Sequence, residues 1–147
     1  MTCRTAVKED IPHLCRLLNQ LFEQEAEFEP NTKDQAYALS EIIKDKRIGE
    51  VFVVLINDKI VGMVNILYTI STALGAKVAM LEDMIVDKNY RGEDLGSFLL
   101  DYTLKKIKAD GCKRVTLLTD GDNAKAHRFY ENSGFARSGM IPFRILL

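Results

Sequence analysis

The chain reads as an α/β fold: a mixed, splayed β-sheet flanked by about four helices, in the order β-α-α-β-β-β-α-β-α-β. Three observations carry this. Helical-period apolar patterns alternate with short apolar runs along the 147 residues. The stretch Val51-Phe52-Val53-Val54-Leu55-Ile56 is apolar without a break, the mark of a central strand buried on both faces. A third apolar strand segment, Met84-Ile85-Val86, runs through a glycine-bearing turn into a helix that starts at Leu95.

The elements follow in order. A first strand is expected from about Cys3 to Val7. Asp10 is a candidate N-cap with Pro12 in the first turn, and Ile11, Leu14, Leu18, Leu21 and Phe22 recur at helical spacing. An acidic run from Glu23 to Glu29 ends at Pro30. A second helix is expected from Asp34 to Lys46, with Ala36, Leu39 and Ile43 inward. Asn57-Asp58 suits a two-residue hairpin turn between the central strand and a partner from Ile60 to Ile70. Gly75 marks a loop, and Val78 to Val86 forms the next strand. The helix from Leu95 to Asp110 has a narrow polar stripe, predicting deep burial, and Gly111 stops it. A strand from Val115 to Thr119, a helix from Asn123 to Ser133 and an extended tail from Phe135 to Leu147, interrupted at Pro142, complete the chain.

Composition narrows the function classes. The length suits one domain over residues 1–147. A net charge of -1 gives no general affinity for polyanions, so nucleic acid is not an expected partner. Three scattered cysteines and two histidines form neither a disulfide frame nor a zinc pattern, so no metal site is expected. No apolar run approaches the ~20 residues of a membrane span, and the start of the chain is not a signal-peptide pattern. The expected setting is cytoplasmic, without membrane attachment.

The strand, glycine turn and helix N-terminus around Tyr90-Arg91-Gly92-Glu93-Asp94-Leu95-Gly96-Ser97 make an anion site, because the first N–H groups of a helix have no internal partner. No Gly-Lys-Ser/Thr follows, so the turn is not a nucleotide P-loop. The spacing Arg91-x-x-Asp94-x-Gly96 resembles the coenzyme A pyrophosphate loop of the GNAT superfamily of N-acetyltransferases, Q/R-x-x-G-x-G/A. Downstream, Asn123-x-x-Ala126-x-x-Phe129-Tyr130-x-x-x-Gly134-Phe135 resembles that superfamily's second signature, in the expected order.

The resemblance implies an acetyl-CoA-dependent N-acetyltransferase acting on a primary amine by direct attack. It places pyrophosphate on Arg91, Gly92, Glu93, Asp94, Leu95, Gly96 and Ser97, and pantetheine along the backbone of Met84, Ile85 and Val86. Asn123 and Ala126 would lie along the cofactor, with Asn123 also a plausible N-cap. A free alkylammonium has a pKa near ~10, so the amine needs a base. Leu81-Glu82-Asp83 is similar to the Leu-Glu-Asp of spermidine/spermine N-acetyltransferases, which makes Glu82 the candidate base. Tyr130 is the candidate acid for the leaving sulfur, a phenol that stays protonated at neutral pH. The blander accounts are that Tyr130 is core and Glu82 a structural carboxylate.

Asp94 departs from the family pattern, which has glycine there. Its carboxylate either faces the phosphates or caps the helix. The alternative that follows is a non-catalytic acyl-CoA-binding module of the same fold. The acceptor stays open between small-molecule and peptide amines. The acidic run suits a cationic amine, although a solvated loop explains it equally. Many members of the superfamily are dimers, so a homodimer also stays open.

Overall fold

The computed structural model describes residues 1–24 and 31–147. Strand β1 (Thr2–Thr5) leads to helices α1 (Ile11–Gln24) and α2 (Thr32–Ile43). Strands β2 (Gly49–Ile56), β3 (Lys59–Ser71) and β4 (Ala76–Val86) follow as a meander. Helix α3 (Leu95–Ala109), strand β5 (Val115–Leu117) and helix α4 (Ala124–Asn132) complete the set. The five strands form one sheet in the order β1-β2-β3-β4-β5. The first three pairings are antiparallel, whereas β5 runs parallel to β4 after the α3 crossover.

Both faces of the sheet are covered. Val51, Val53, Leu55, Met63 and Ile85 pack under α1 and α2 with Leu14, Leu17 and Leu39. Their neighbours Phe52, Val54, Val64 and Ile66 point the other way, against Leu95, Leu99, Leu100 and Ile107 of α3. The strand period of two splits each apolar run between two cores, which is why β2 shows no polar alternation. Asn57 and Asp58 both have positive φ (48° and 62°), the geometry that a two-residue hairpin with this twist requires. Among the described residues no helix is long and apolar enough to cross a membrane.

Four expectations change. Asp10 does not turn forward onto α1. Its carboxylate accepts from the Val7 N–H at 2.8 Å and pairs with Arg4 at 2.7 Å, closing a short 3-10 turn before the helix. Helix α3 is less buried than its narrow polar stripe predicts. Phe98, Lys106 and Ala109 face solvent beside the polar residues, and Leu95, Leu99, Leu100, Thr103 and Ile107 carry the packing. Strand β5 stops at Leu117, two residues short of the predicted end. The last strand does not form: residues 135–147 hold neither helix nor strand. The next free edge belongs to β5, only three residues long, and Pro142 has no N–H to give a ladder. Most of the acidic run, Glu25, Glu27 and Glu29, lies outside the described residues, whereas Glu23 is exposed in the last turn of α1.

One ion pair ties α1 to the end of β4. Asp87 is 2% exposed and accepts from Arg16 at 2.6 Å and from the Asn89 N–H at 3.0 Å. Arg16 also donates to the Ile60 carbonyl at 3.2 Å, and Gln20 of α1 accepts from the Lys88 N–H at 3.0 Å. Burial alone would push the Asp87 carboxyl up. The Asn89 N–H and the Arg16 guanidinium outweigh it, so the group lies below the ordinary carboxylate range. A lowered carboxyl stabilises the fold above its unfolded pKa, and that contribution is lost as pH falls through the folded value. Asp87→Asn is therefore expected to cost about 1–3 kcal/mol at pH 7. The difference from the parent should shrink below about pH 4. Urea unfolding of both proteins at pH 7 and pH 3 measures this; an equal loss at both values would deny the ionised pair its role.

Candidate active site

Strand β4 has two unequal edges. It is paired with β3 along its whole length, from Ala76 opposite Ser71 to Val86 opposite Gly62. On the other side β5 pairs with it only at Ala79, Met80 and Leu81. Beyond Leu81 no described strand occupies that edge, so the backbone from Glu82 to Val86 has no strand partner on that side. The side chains there are anchored in the two cores: Ile85 under α1 and α2, Met84 and Val86 toward α3. That leaves main-chain groups as what this edge has to offer a ligand.

The split coincides with a β-bulge. Asn65 lies opposite Asp83 and Ile66 opposite Leu81, which leaves Glu82 as the extra, unpaired residue. The two carboxyls consequently have different surroundings. Asp83 accepts from Asn65 Nδ2 at 3.1 Å, and burial pushes its carboxyl up against that bond. Glu82 is solvent-accessible but still partly desolvated, and this raises its pKa. The neighbouring Asp83 raises it further, while the positive charge of Arg144 acts the other way. Asn65 is 5% exposed, and its Oδ1 is buried without a hydrogen-bond partner.

At the end of β4 the chain passes through Asp87 and a 3-10 turn (Lys88–Tyr90) into the exposed residues Arg91, Gly92, Glu93 and Asp94. Gly92 has φ +87°. Asp94 sits at the N-cap position of α3 in the left-handed region (φ 59°, ψ 16°), and its side chain makes no capping bond. The capping role is thus excluded. The left-handed turn is kept by an aspartate where the family motif has glycine. With no side-chain cap, the first turn of α3 keeps N–H groups for an anion. Arg91 Nε donates to the Val86 carbonyl at 3.1 Å, which holds the loop against the end of β4.

Gly96 has a packing reason as well. A Cβ there would lie 3.3 Å from the Phe129 ring and 3.7 Å from Val86, closer to the ring than side chains ordinarily sit. The glycine lets α4 approach the start of α3. Asn123 caps α4 by accepting from the Ala126 N–H at 3.1 Å, as its position predicts. Next along α4, Tyr130 packs edge-on between Phe129 (centroids 5.1 Å) and Phe135 (5.6 Å). Burial pushes its phenol up to about 12. Its hydroxyl has no hydrogen-bond partner among the described residues.

The fold thus gathers the edge Met84–Val86, the loop from Arg91 to Ser97 and Phe129 of α4 around one end of β4, with Glu82 where the β5 ladder stops. Sequence reasoning missed two contributors. Asn65 was visible as an amide inside an apolar strand, whereas the electrostatic reach of Arg144 to Glu82 has no local signal at all. Phe129 was named in the second signature, but not its contact with Gly96.

Residues 12–135 match the model of the Acetyltransferase (GNAT) family. A relative described as N-alpha-acetyltransferase 30, from Schizosaccharomyces pombe, is 35% identical over 88 residues, covering 58% of this chain and 57% of the relative. The chain therefore spans little more than half of that protein. Among solved structures, a transcriptional regulator from Bacillus halodurans C-125 superposes with a TM-score of 0.84 at 27% identity, covering 99% of each chain. An aminoglycoside acetyltransferase from an uncultured soil metagenomic sample, in complex with sisomicin, shares the fold with a TM-score of 0.81 at 21% identity, over 99% of this chain and 95% of that one. With the family model matched across most of its length, by a stretch that includes the forked strand, the glycine loop and α4, the chain belongs to the GNAT acetyltransferase family.

Proposed function

We propose that the protein is an acetyl-CoA-dependent N-acetyltransferase that acetylates a primary amine by direct attack. The observation that carries this reading is the open edge of β4 beyond Leu81, which ends at an uncapped helix N-terminus. A pantetheine arm has amides to pair with such an edge, and a pyrophosphate suits the helix terminus and Arg91. The thioester would then lie at the fork beside Glu82.

Each residue has a task in this reading. Glu82 takes the proton from the incoming ammonium, and its raised pKa brings it nearer the working range of a base. Main-chain N–H groups of the β4 edge face the oxyanion that develops on the carbonyl. Tyr130 keeps its proton at neutral pH and donates it as the sulfur leaves. Burial without a competing hydrogen bond leaves its hydroxyl ready for that role. Asp83 stays in reserve beneath the fork and favours a cationic acceptor. Here the acceptor class rests on these two carboxyls. The direct test is thiol release from acetyl-CoA in the presence of mixed small-molecule and peptide amines; no release with any of them would overturn the reading.

Three expected outcomes follow from the site. Tyr130→Phe keeps the ring between Phe129 and Phe135 and loses only the donor. Turnover should fall roughly a hundred- to ten-thousand-fold, with acetyl-CoA affinity unchanged by titration; an unaltered rate would make Tyr130 a core residue.

The acid limb of the pH–rate profile should report Glu82. Asp83→Asn removes a neighbouring negative charge, so the Glu82 pKa falls and the limb moves to lower pH. Arg144→Ala removes a positive one and moves the limb to higher pH. Profiles of both variants that superimpose on the parent would exclude Glu82 as the base.

Asp94→Gly loses no capping bond and relieves a left-handed residue, so stability should rise by on the order of 1 kcal/mol. Removing the charge beside the pyrophosphate should also tighten acetyl-CoA binding, more at low salt than at high. Thermal melts and calorimetric titrations at two salt concentrations check both effects. A lower melting temperature, or weaker binding, would contradict this account of the loop.

A further inference from the structure

We propose that the end of the sheet remote from the candidate active site holds a second ligand site, built for a small amphiphilic anion: one carboxylate or phosphate carried on an apolar body. A cavity of about 380 Å³ opens there, lined by Lys46, Arg47, Tyr68, Thr69, Ile70 and Lys77. Its volume falls within the roughly 300–1,000 Å³ of small-molecule sites. From Lys77 to Val86 the strand β4 rises about 30 Å, so the cavity is well separated from the anion loop.

The space is open because the sheet outruns α3. Tyr68 is buried in the core that Ile107 and Cys112 complete. Ile70 follows on the same face and is 75% exposed. Lys77 lies opposite Ile70 in the β3–β4 register. Tyr68 and Ile70 therefore supply an apolar wall, and Lys77 stands beside it.

The charges at the rim are held in place before any ligand arrives. Lys77 Nζ lies 4.4 Å from the centroid of the Tyr68 ring. The ring is fixed in turn by its hydroxyl, which donates to Glu50 at 2.8 Å. A cation resting on an aromatic face has less freedom to lose on binding. Among the described residues no carboxylate forms an ion pair with Lys46 or Lys77, so both ammonium groups are available. No carboxylate lines the cavity. Asp45 is bonded to Arg47 at 3.0 Å, Glu50 is buried behind the Tyr68 hydroxyl, and Asp110 caps the end of α3. Two uncommitted cations beside an apolar wall select an anion with an apolar body. Inorganic phosphate would use only the rim, and an amine would be repelled.

Amide NMR of the whole chain, titrated with octanoate, octylammonium or inorganic phosphate, tests the site. Octanoate should shift the amides of Thr69, Ile70 and Lys77 and saturate below about 10 mM. Octylammonium, with the same tail and the opposite charge, should leave them unmoved, and inorganic phosphate should bind at least about tenfold more weakly than octanoate. Lys46→Glu/Lys77→Glu should weaken octanoate at least about tenfold. Lys33→Glu/Lys105→Glu, the same change of charge at exposed positions outside the cavity, should leave binding unchanged. Ile70→Asp replaces the wall at an exposed position, so it tests the site even if the charge variant fails to fold; octanoate should weaken by a similar factor. No saturable shift at these amides, or shifts at residues 82–97 instead, would overturn the proposal. So would octylammonium or phosphate binding as octanoate does, or a folded cavity variant that binds octanoate like the parent. Binding is read without acetyl transfer, so its outcome is separate from that of the proposed function.

Discussion

Everything at the candidate site depends on β4 being bonded unequally along its two edges. The β3 side is an antiparallel ladder that runs from Ala76 to Val86, interrupted only by the bulge at Glu82. The β5 side is a three-residue parallel ladder that ends at Leu81. Where it ends, main-chain groups of β4 are left without a strand partner on that side, and buried or half-buried main-chain groups must find partners. A ligand with amides of its own meets that demand. The bulge at Glu82 falls at the same point, so the strand's register changes where its second partner leaves. It also frees the one carboxylate that the ladder would otherwise have pinned to a face.

The loop that follows is held from two directions. From below, Arg16 and Gln20 of α1 grip Asp87 and Lys88, fixing the exit from β4. From the other face, Gly96 lets Phe129 come close, so the start of α3 and the middle of α4 form one contact. The exposed residues Arg91 to Asp94 lie between these two anchors. A loop whose ends are rigid can hold a strained turn such as that at Asp94, because the surrounding packing determines it. The same Phe129 contact carries on to Tyr130 and Phe135, so the proposed acid is oriented by the packing that shapes the anion loop.

Electrostatically, the site sets charges apart by their surroundings. Asp83 and Glu82 are adjacent in sequence, yet one is bonded to a buried amide and the other stands at the fork. Burial raises both, and the Asp83 charge makes Glu82 costlier still to ionise. Asp87, four residues further on, is pulled down by its partners and stays a fixed anion. Three carboxyls within six residues are thereby divided into one structural charge and two groups able to titrate.

Much of this was legible in the sequence. Periodicity located every helix and the strands of the meander, because burial on one or two faces imposes a local pattern on each element. The hairpin at Asn57-Asp58, the cap at Asn123 and the glycine loop before α3 follow from backbone geometry that few residues satisfy. The Asp94 departure was visible too, but its conformation was not. Whether its carboxylate caps the helix depends on a turn that the neighbouring elements hold. The length of β5, the bulge at Glu82, the approach of Phe129 to Gly96 and the Arg16–Asp87 pair were decided by tertiary structure alone. Each depends on residues brought together from distant parts of the chain. The last strand shows the limit most plainly. Residues 135–147 have the pattern of a strand, but a strand also needs an edge to bond to, and within one copy of this chain the fold does not give them one.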